Sequence, residues 1–205
     1  MALSPAVFLD KDGTLVHDVP YNADPNKVRL RDDAGPALAS LQRRGYRLVL
    51  VSNQSGLARG MFQETALERI WAAMADALSP YGVALDGIYY CPHHPDGSVP
   101  EFAHRCDCRK PAPGMLLRAA EELDLDLARS WIIGDILDDI EAGRRAGCRA
   151  ILLDVGSETE WRSGPYRQPD RIAASLTEAT ADIIASESLG ATQGDTPPEA
   201  AQWPG

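Results

Sequence analysis

No apolar run in the 205 residues approaches the roughly 20 that a membrane helix needs, and the first residues, "MALSPAVFLDKDG", carry no basic stretch and meet two aspartates by residue 12. The expectation is a cytoplasmic protein with neither a secretory leader nor a membrane span. Positive charge is also short: 20 Lys and Arg stand against 30 Asp and Glu, a formal net charge of -10. Such a balance repels phosphate backbones and anionic lipid, which argues against nucleic acid and membrane as partners and for a small molecule. Neither "GxxxxGK[ST]" nor "GxGxxG" occurs, so nucleotide-loop sites lack their signature. Cysteine is scarce at 4 residues. Disulfides are rare in a reducing compartment, so these thiols read as metal ligands or catalytic groups rather than staples. No internal repeat is present.

What is there has the size and the 44% hydrophobic content of one well-filled domain, with a monomer as the expectation. The runs "AVFLD" (6–10), "YRLVLVSN" (46–53), "GIYYC" (87–91), "SWIIGD" (130–135) and "RAILLDVG" (149–156) are short and apolar with little period-2 alternation, as in strands buried on both faces. Helical spacing lies between them. In "TALERIWAAMADAL" the residues Leu67, Ile70, Trp71, Met74 and Leu78 form one apolar stripe, and weaker stripes occur in "AGPALASLQRRG", "APGMLLRAAEELDL" and "DDIEAGRRAG", where Gly147 can end the helix. This alternation predicts an α/β fold, a doubly wound, mostly parallel sheet whose ligands bind beyond the carboxyl ends of the strands. The domain is expected over 1–186, and the Pro-, Gly-, Ser- and Thr-rich segment 187–205 reads as a flexible tail.

Polar residues gather where those strands end. In "FLDKDGT", Asp10 closes the first strand and Asp12 can return to the same side, because Gly13 permits a sharp turn. An isolated "DKDG" is as often a plain turn. Two further strands, however, end in Ser52, Asn53 and Gln54 and in "GDILDD", with Asp135 at the terminus and Asp138 and Asp139 in the turn that follows. Arg109 and Lys110, ahead of a Pro-rich loop, are suited to holding an anion. Clustered carboxylates repel one another and suit a hard cation such as Mg²⁺, which neutralises them and bridges to phosphate. Phosphoryl transfer then follows: Asp10 as nucleophile, Asp12 as acid and then base, and Ser52, Asn53 and Lys110 around the phosphoryl oxygens.

The cysteines gather in "CPHHPDGSVPEFAHRCDC". Cys91, His93, Cys106 and Cys108 make the Cys₃His composition of a closed structural Zn²⁺ site, although the single-residue gaps are tighter than the usual two to four and a chance cluster of buried thiols competes. His94 and His104 read as solvent-facing or pocket-lining. Cys148 reads as a small buried hydrophobe, His17 as a solvated loop residue, and the pairs Arg43, Arg44 and Arg144, Arg145 as solvated faces.

Taken in order, "DKDGT", "SNQ", Lys110 and "GDILDD" resemble the four motifs of the haloacid dehalogenase (HAD) superfamily of phosphohydrolases. "VSNQSGLARG", "DGIYYCPHHPDGSV" and "CDCRKPAPGML" look like the D-glycero-D-manno-heptose 1,7-bisphosphate 7-phosphatases and, more loosely, the histidinol-phosphate phosphatases. The resemblance spans about residues 6 to 185 and implies a HAD-like fold without a large cap domain. It implies Asp10 as nucleophile, Asp12 as proton donor, and Mg²⁺ on Asp10, Asp135 and the carbonyl of Asp12. Ser52 and Lys110 would stabilise the phosphoryl group, Arg109 would contact the rest of a sugar-phosphate substrate, and Asp18 to Tyr21 would line its pocket together with Asn53 and Gln54. It also implies Zn²⁺ on Cys91, His93, Cys106 and Cys108, and a role in making nucleotide-activated heptose for surface glycoconjugates. Two departures concern the sugar contacts: Ile136 stands where a polar or basic residue is expected, and the pocket loop reads "DVPY". The competing readings are histidinol-phosphate phosphatase, a DNA 3′-phosphatase disfavoured by the charge, and a non-catalytic zinc-stabilised binding module.

Overall fold

A computed structural model describes residues 3–190, with side chains through residue 187. Six strands form one parallel sheet: β1 (Ala6–Leu9), β2 (Arg47–Asn53), β3 (Gly87–Cys91), β4 (Trp131–Gly134), β5 (Arg149–Leu153) and β6 (Arg171–Ala173). Their spatial order is β3-β2-β1-β4-β5-β6. The α-helices are α1 (Ala34–Arg43), α2 (Glu64–Leu78), α3 (Gly114–Glu122), α4 (Leu137–Ala146) and α5 (Leu176–Gly190).

The continuous apolar strands have the cause that their composition implied. Val7 and Leu9, Leu48 and Leu50, and Ile151 and Leu153 face one layer made by α1, α2 and α5. Their alternates Ala6, Phe8, Val49, Val51, Ala150 and Leu152 face the other layer, made by α3 and α4. Neither face is left to water, so no polar alternation is possible. On α2, Leu67, Ile70, Met74 and Leu78 are buried as the spacing predicts, whereas Trp71 lies at the margin, 6.2 Å from the Tyr90 ring. Gly147 ends α4 at φ 93°, and Cys148 beyond it is buried.

Two elements have no counterpart in the sequence reading. β6 has only 3 residues, too few to show a period, and α5 exposes polar side chains around a narrow stripe of Leu176, Ala179 and Ile183. α5 also runs through Gly190, past the expected start of the tail at 187; the rest of that segment, 191–205, lies outside the described residues. Among the described residues, no helix is long and apolar enough to cross a membrane.

The strand order reverses at β1, which pairs with β2 on one side and β4 on the other. The chain leaves the sheet in opposite directions there and opens a crevice at the carboxyl ends of these three strands. Register sets its floor: Leu9 lies beside both Leu50 and Ile133. Asp10, Ser52 and Asp135 therefore emerge side by side one or two residues later.

Candidate active site and metal centre

A cavity of about 280 Å³ occupies that crevice, lined by Asp10, Asp12, Asp18, Ser52, Asn53, Lys110 and Asp135, all anticipated, and by Ile136, Asp139 and Ser157. Asp10 follows β1, and its amide donates to the Ile133 carbonyl at 3.0 Å. The turn after it closes tightly, with the Gly13 amide on the Val16 carbonyl at 2.9 Å. Gly13 is required twice over: its φ is +79°, and a Cβ there would sit 2.0 Å from Asp135 Oδ2. Gly134 has a similar duty, since its Cβ would meet that of Asp139 at 2.2 Å. Thr14 Oγ1 donates to Asp135 Oδ1 at 3.3 Å.

Lys110 crosses the crevice almost fully buried. Its ammonium donates to Asp10 Oδ1 and, at 2.9 Å, to the Val51 carbonyl, and it lies 2.5 Å from Asp139 Oδ1. Burial alone would lower its pKa, but the Asp10 and Asp139 carboxylates outweigh that and raise it, so it stays an ammonium. Burial, reinforced by the charge of Asp10, pushes Asp135 up to about 6. Burial also raises Asp139, against the pull of Lys110. The Asp12 carboxyl is raised chiefly by burial, partly offset by Lys11, whose ammonium donates to Asp12 Oδ1 at 2.7 Å.

Asp10, Asp135 and Asp139 bring carboxylate oxygens within 4.8 Å of one another. Asp139 is fully buried, and its Oδ1 pairs with the Lys110 ammonium. Three crowded carboxylates facing a single buried ammonium fit a hard, oxygen-preferring cation. This trio contains Asp10 and Asp135 of the expected ligand set and adds Asp139 beside them. The Asp12 side chain is engaged by Lys11, in keeping with the expectation that Asp12 offers a metal its main-chain carbonyl and keeps its carboxyl for proton transfer. Asp139 was among the carboxylates expected in the turn after β4, and it stands in the first turn of α4.

Three further residues expected to meet substrate are placed as follows. Gln54 is buried and its Nε2 donates to Ser52 Oγ at 2.8 Å, so it meets Ser52 rather than open space. Asn53 borders the cavity, yet both ends of its carboxamide bond the Lys110 main chain, Nδ2 to the carbonyl at 3.1 Å and Oδ1 from the amide at 3.0 Å. Tyr21, at φ 52°, is exposed and borders neither this cavity nor its neighbour. Ser157, from the loop after β5, had no signal beyond its position after a strand.

Arg109 lines a second cavity of about 510 Å³ that shares Lys110 with the first and includes His94, His104, Arg105, Asp138 and Arg145. His94 and His104 are thus pocket-lining, as expected. His17, Arg43 and Arg44 are exposed. Arg144 and Arg145 are exposed too, but each pairs with an acid, Asp170 at 3.0 Å and Glu141 at 2.7 Å. Asp138 turns outward to Arg167 at 2.8 Å, although it neighbours Asp139 in sequence.

Between β3 and α3 the chain has no helix or strand, and the four expected zinc ligands converge there. The three sulfurs lie 3.2 to 3.5 Å apart, and His93 Nδ1 is 3.3 Å from Cys108 Sγ and 3.6 Å from Cys91 Sγ. A tetrahedron with metal–sulfur bonds of about 2.3 Å has edges of about 3.8 Å, so the four donors nearly enclose one Zn²⁺. None of the four cysteines is in a disulfide. The His104 ring packs at a tilt against that of His93, with centroids 4.3 Å apart.

Comparison with known proteins agrees with this geometry. A HAD-hydrolase-like family model matches residues 107–179. A D-glycero-beta-D-manno-heptose-1,7-bisphosphate 7-phosphatase of Yersinia pestis is 45% identical over 160 residues, 78% of this chain and 81% of the relative. One from Photorhabdus laumondii is 45% identical over 173 residues, 84% and 88% of the two chains. The chain belongs to this family of HAD phosphatases. The crystal structure of the D,D-heptose 1,7-bisphosphate phosphatase from B. bronchiseptica, complexed with magnesium and phosphate, superposes with a TM-score of 0.72 at 31% identity, covering 89% of this chain and 99% of that one. The HAD resemblance, the doubly wound parallel sheet and the enzyme class expected from "DKDGT", "SNQ" and "GDILDD" are thereby borne out.

Proposed function

We propose that this phosphatase removes the 7-phosphate of D-glycero-β-D-manno-heptose 1,7-bisphosphate through an aspartyl-phosphate on Asp10, in the cytoplasm and as a monomer. The observation that carries the proposal is the buried Lys110 ammonium spanning Asp10 and Asp139 beside Ser52, within a family whose relatives bear that substrate in their names. Asp10 would attack phosphorus with its free oxygen, and the bond from phosphorus to the sugar oxygen breaks. Asp12, whose raised pKa favours keeping a proton, delivers it to the departing alkoxide. Asp12 then takes a proton from water, which attacks the aspartyl-phosphate, releasing orthophosphate and restoring Asp10. Ser52 and Lys110 hold the equatorial oxygens throughout.

Asp10, Asp135 and Asp139, with the Asp12 carbonyl, would hold Mg²⁺. Such an ion would supply positive charge that offsets these carboxylates and the phosphoryl group. Cys91, His93, Cys106 and Cys108 would hold Zn²⁺ in a closed site that folds the loop carrying Arg109 and Lys110, and Arg109 would meet the distal part of the sugar phosphate from the larger cavity.

Phosphate release with Mg²⁺ tests this, using both anomers of heptose 1,7-bisphosphate, fructose 1,6-bisphosphate, histidinol phosphate and a 3′-phosphorylated oligonucleotide. The β anomer is expected to lead in kcat/KM by tenfold or more, about 1.4 kcal/mol of transition-state preference. A lead by histidinol phosphate would overturn the substrate, and release that persists in Asp10→Asn would overturn the nucleophile.

A further inference from the structure

We infer that Asn53 is a positioning residue that sets Lys110 through its main chain and does not read the sugar. Asn53 is the last residue of β2, directly after Ser52, and it borders the catalytic cavity. A carboxamide there would ordinarily be taken as a substrate contact. Its carboxamide nevertheless spends one donor and one acceptor on Lys110. Nδ2 donates to the Lys110 carbonyl at 3.1 Å and Oδ1 accepts from the Lys110 amide at 3.0 Å, a two-point clamp across 57 residues of sequence.

A carboxamide bonded at both ends to one residue's main chain fixes both its distance and its orientation, as a strand partner would. Lys110 needs such support. It lies in a loop with no helix or strand, and its side chain must cross the crevice to reach Asp10, Asp139 and the Val51 carbonyl. The clamp ties that loop to the end of β2, the strand that supplies Ser52. Two groups assigned to the phosphoryl oxygens then move as one body. The inference rests on the phosphatase reading of Lys110 given above, so the two need separate tests.

The experiment uses the full chain with Mg²⁺ and zinc: wild type, Asn53→Ala, Asn53→Asp, Lys110→Met and the double variant Asn53→Ala with Lys110→Met. Asn53→Asp keeps the shape and the acceptor for the Lys110 amide but loses the donor to its carbonyl, so it reports even if the alanine variant folds poorly. A misplacement of about 1 Å at a catalytic group costs on the order of a hundredfold, so kcat should fall ~10- to 100-fold in Asn53→Ala with KM for the sugar bisphosphate changed less than about threefold. Orthophosphate, which has no sugar, should bind more weakly to Asn53→Ala by calorimetry. Adding Asn53→Ala to Lys110→Met should cost under about threefold more, because the clamp has nothing left to place.

A rise in KM with unchanged kcat and unchanged orthophosphate affinity would make Asn53 a sugar contact and overturn the inference. Full additivity with Lys110→Met would overturn it as well. Full activity in Lys110→Met would instead defeat the underlying role of Lys110.

Discussion

Gly13→Ala separates conformational strain from site geometry. Gly13 holds φ at +79°, and a Cβ would lie 2.0 Å from Asp135 Oδ2 and 2.8 Å from its Cγ. The backbone cost of an L-residue in that region is about 1–2 kcal/mol. Carbon and oxygen need more than about 3 Å, so the Asp135 carboxylate must shift by more than about 1 Å from its place beside Asp10 and Asp139. Displacement of that size at a reacting centre costs ~100-fold in kcat, while the strain lowers Tm by only ~2–8 °C for a chain of this size. Gly45→Ala is the matched control: its φ is +85°, and a Cβ there would meet nothing within 4 Å. It should lose similar stability and keep its activity. The assay is kcat with saturating Mg²⁺ beside Tm by calorimetry for both variants. Wild-type kcat in Gly13→Ala, or an equal loss in Gly45→Ala, would refute the claim that Gly13 is needed for the position of Asp135.

Asp139→Asn should weaken Mg²⁺ activation by ~10- to 100-fold, whereas Asp138→Asn, which loses an ion pair with Arg167, should change stability by no more than about 1 kcal/mol and leave the Mg²⁺ dependence unchanged; Mg²⁺ titrations of the two compare them directly. Cys108→Ser should release zinc, measured by atomic absorption, and lower kcat, because the loop holding Lys110 two residues later loses its anchor. Burial pushes the Cys148 thiol up to about 12, so at pH 8 only ~1 in 10⁴ molecules carries its thiolate. After chelation, a thiol reagent at pH 8 should count three cysteines in the folded chain and the fourth only on denaturation.

Legibility in the sequence followed the kind of signal. The five longer strands and α2 were readable because burial on both faces, or on one stripe, imposes composition over many residues. β6 and α5 were not, since 3 residues carry no period and a narrow stripe of Leu176, Ala179 and Ile183 is weak against a polar background. At the site, Asp10, Ser52, Lys110 and Asp135 were legible as polar residues at strand ends, and Cys91, His93, Cys106 and Cys108 as a composition. Roles that depend on direction were harder to read. Asp138 and Asp139 are adjacent and chemically alike, yet one meets Arg167 at the surface and the other meets Lys110 in the interior, because successive positions on a helix point about 100° apart.

By itself the sequence determined the parallel α/β architecture, the phosphohydrolase chemistry and the zinc-ligand composition, since each is written in residue types at short spacings. Tertiary structure alone decided that Asp139 stands with Asp10 and Asp135 in the acidic trio, that Gln54 meets Ser52, and that Asn53 is bound to Lys110. Those outcomes hang on contacts such as that between residues 53 and 110, set by strand register and loop closure, which no local pattern encodes.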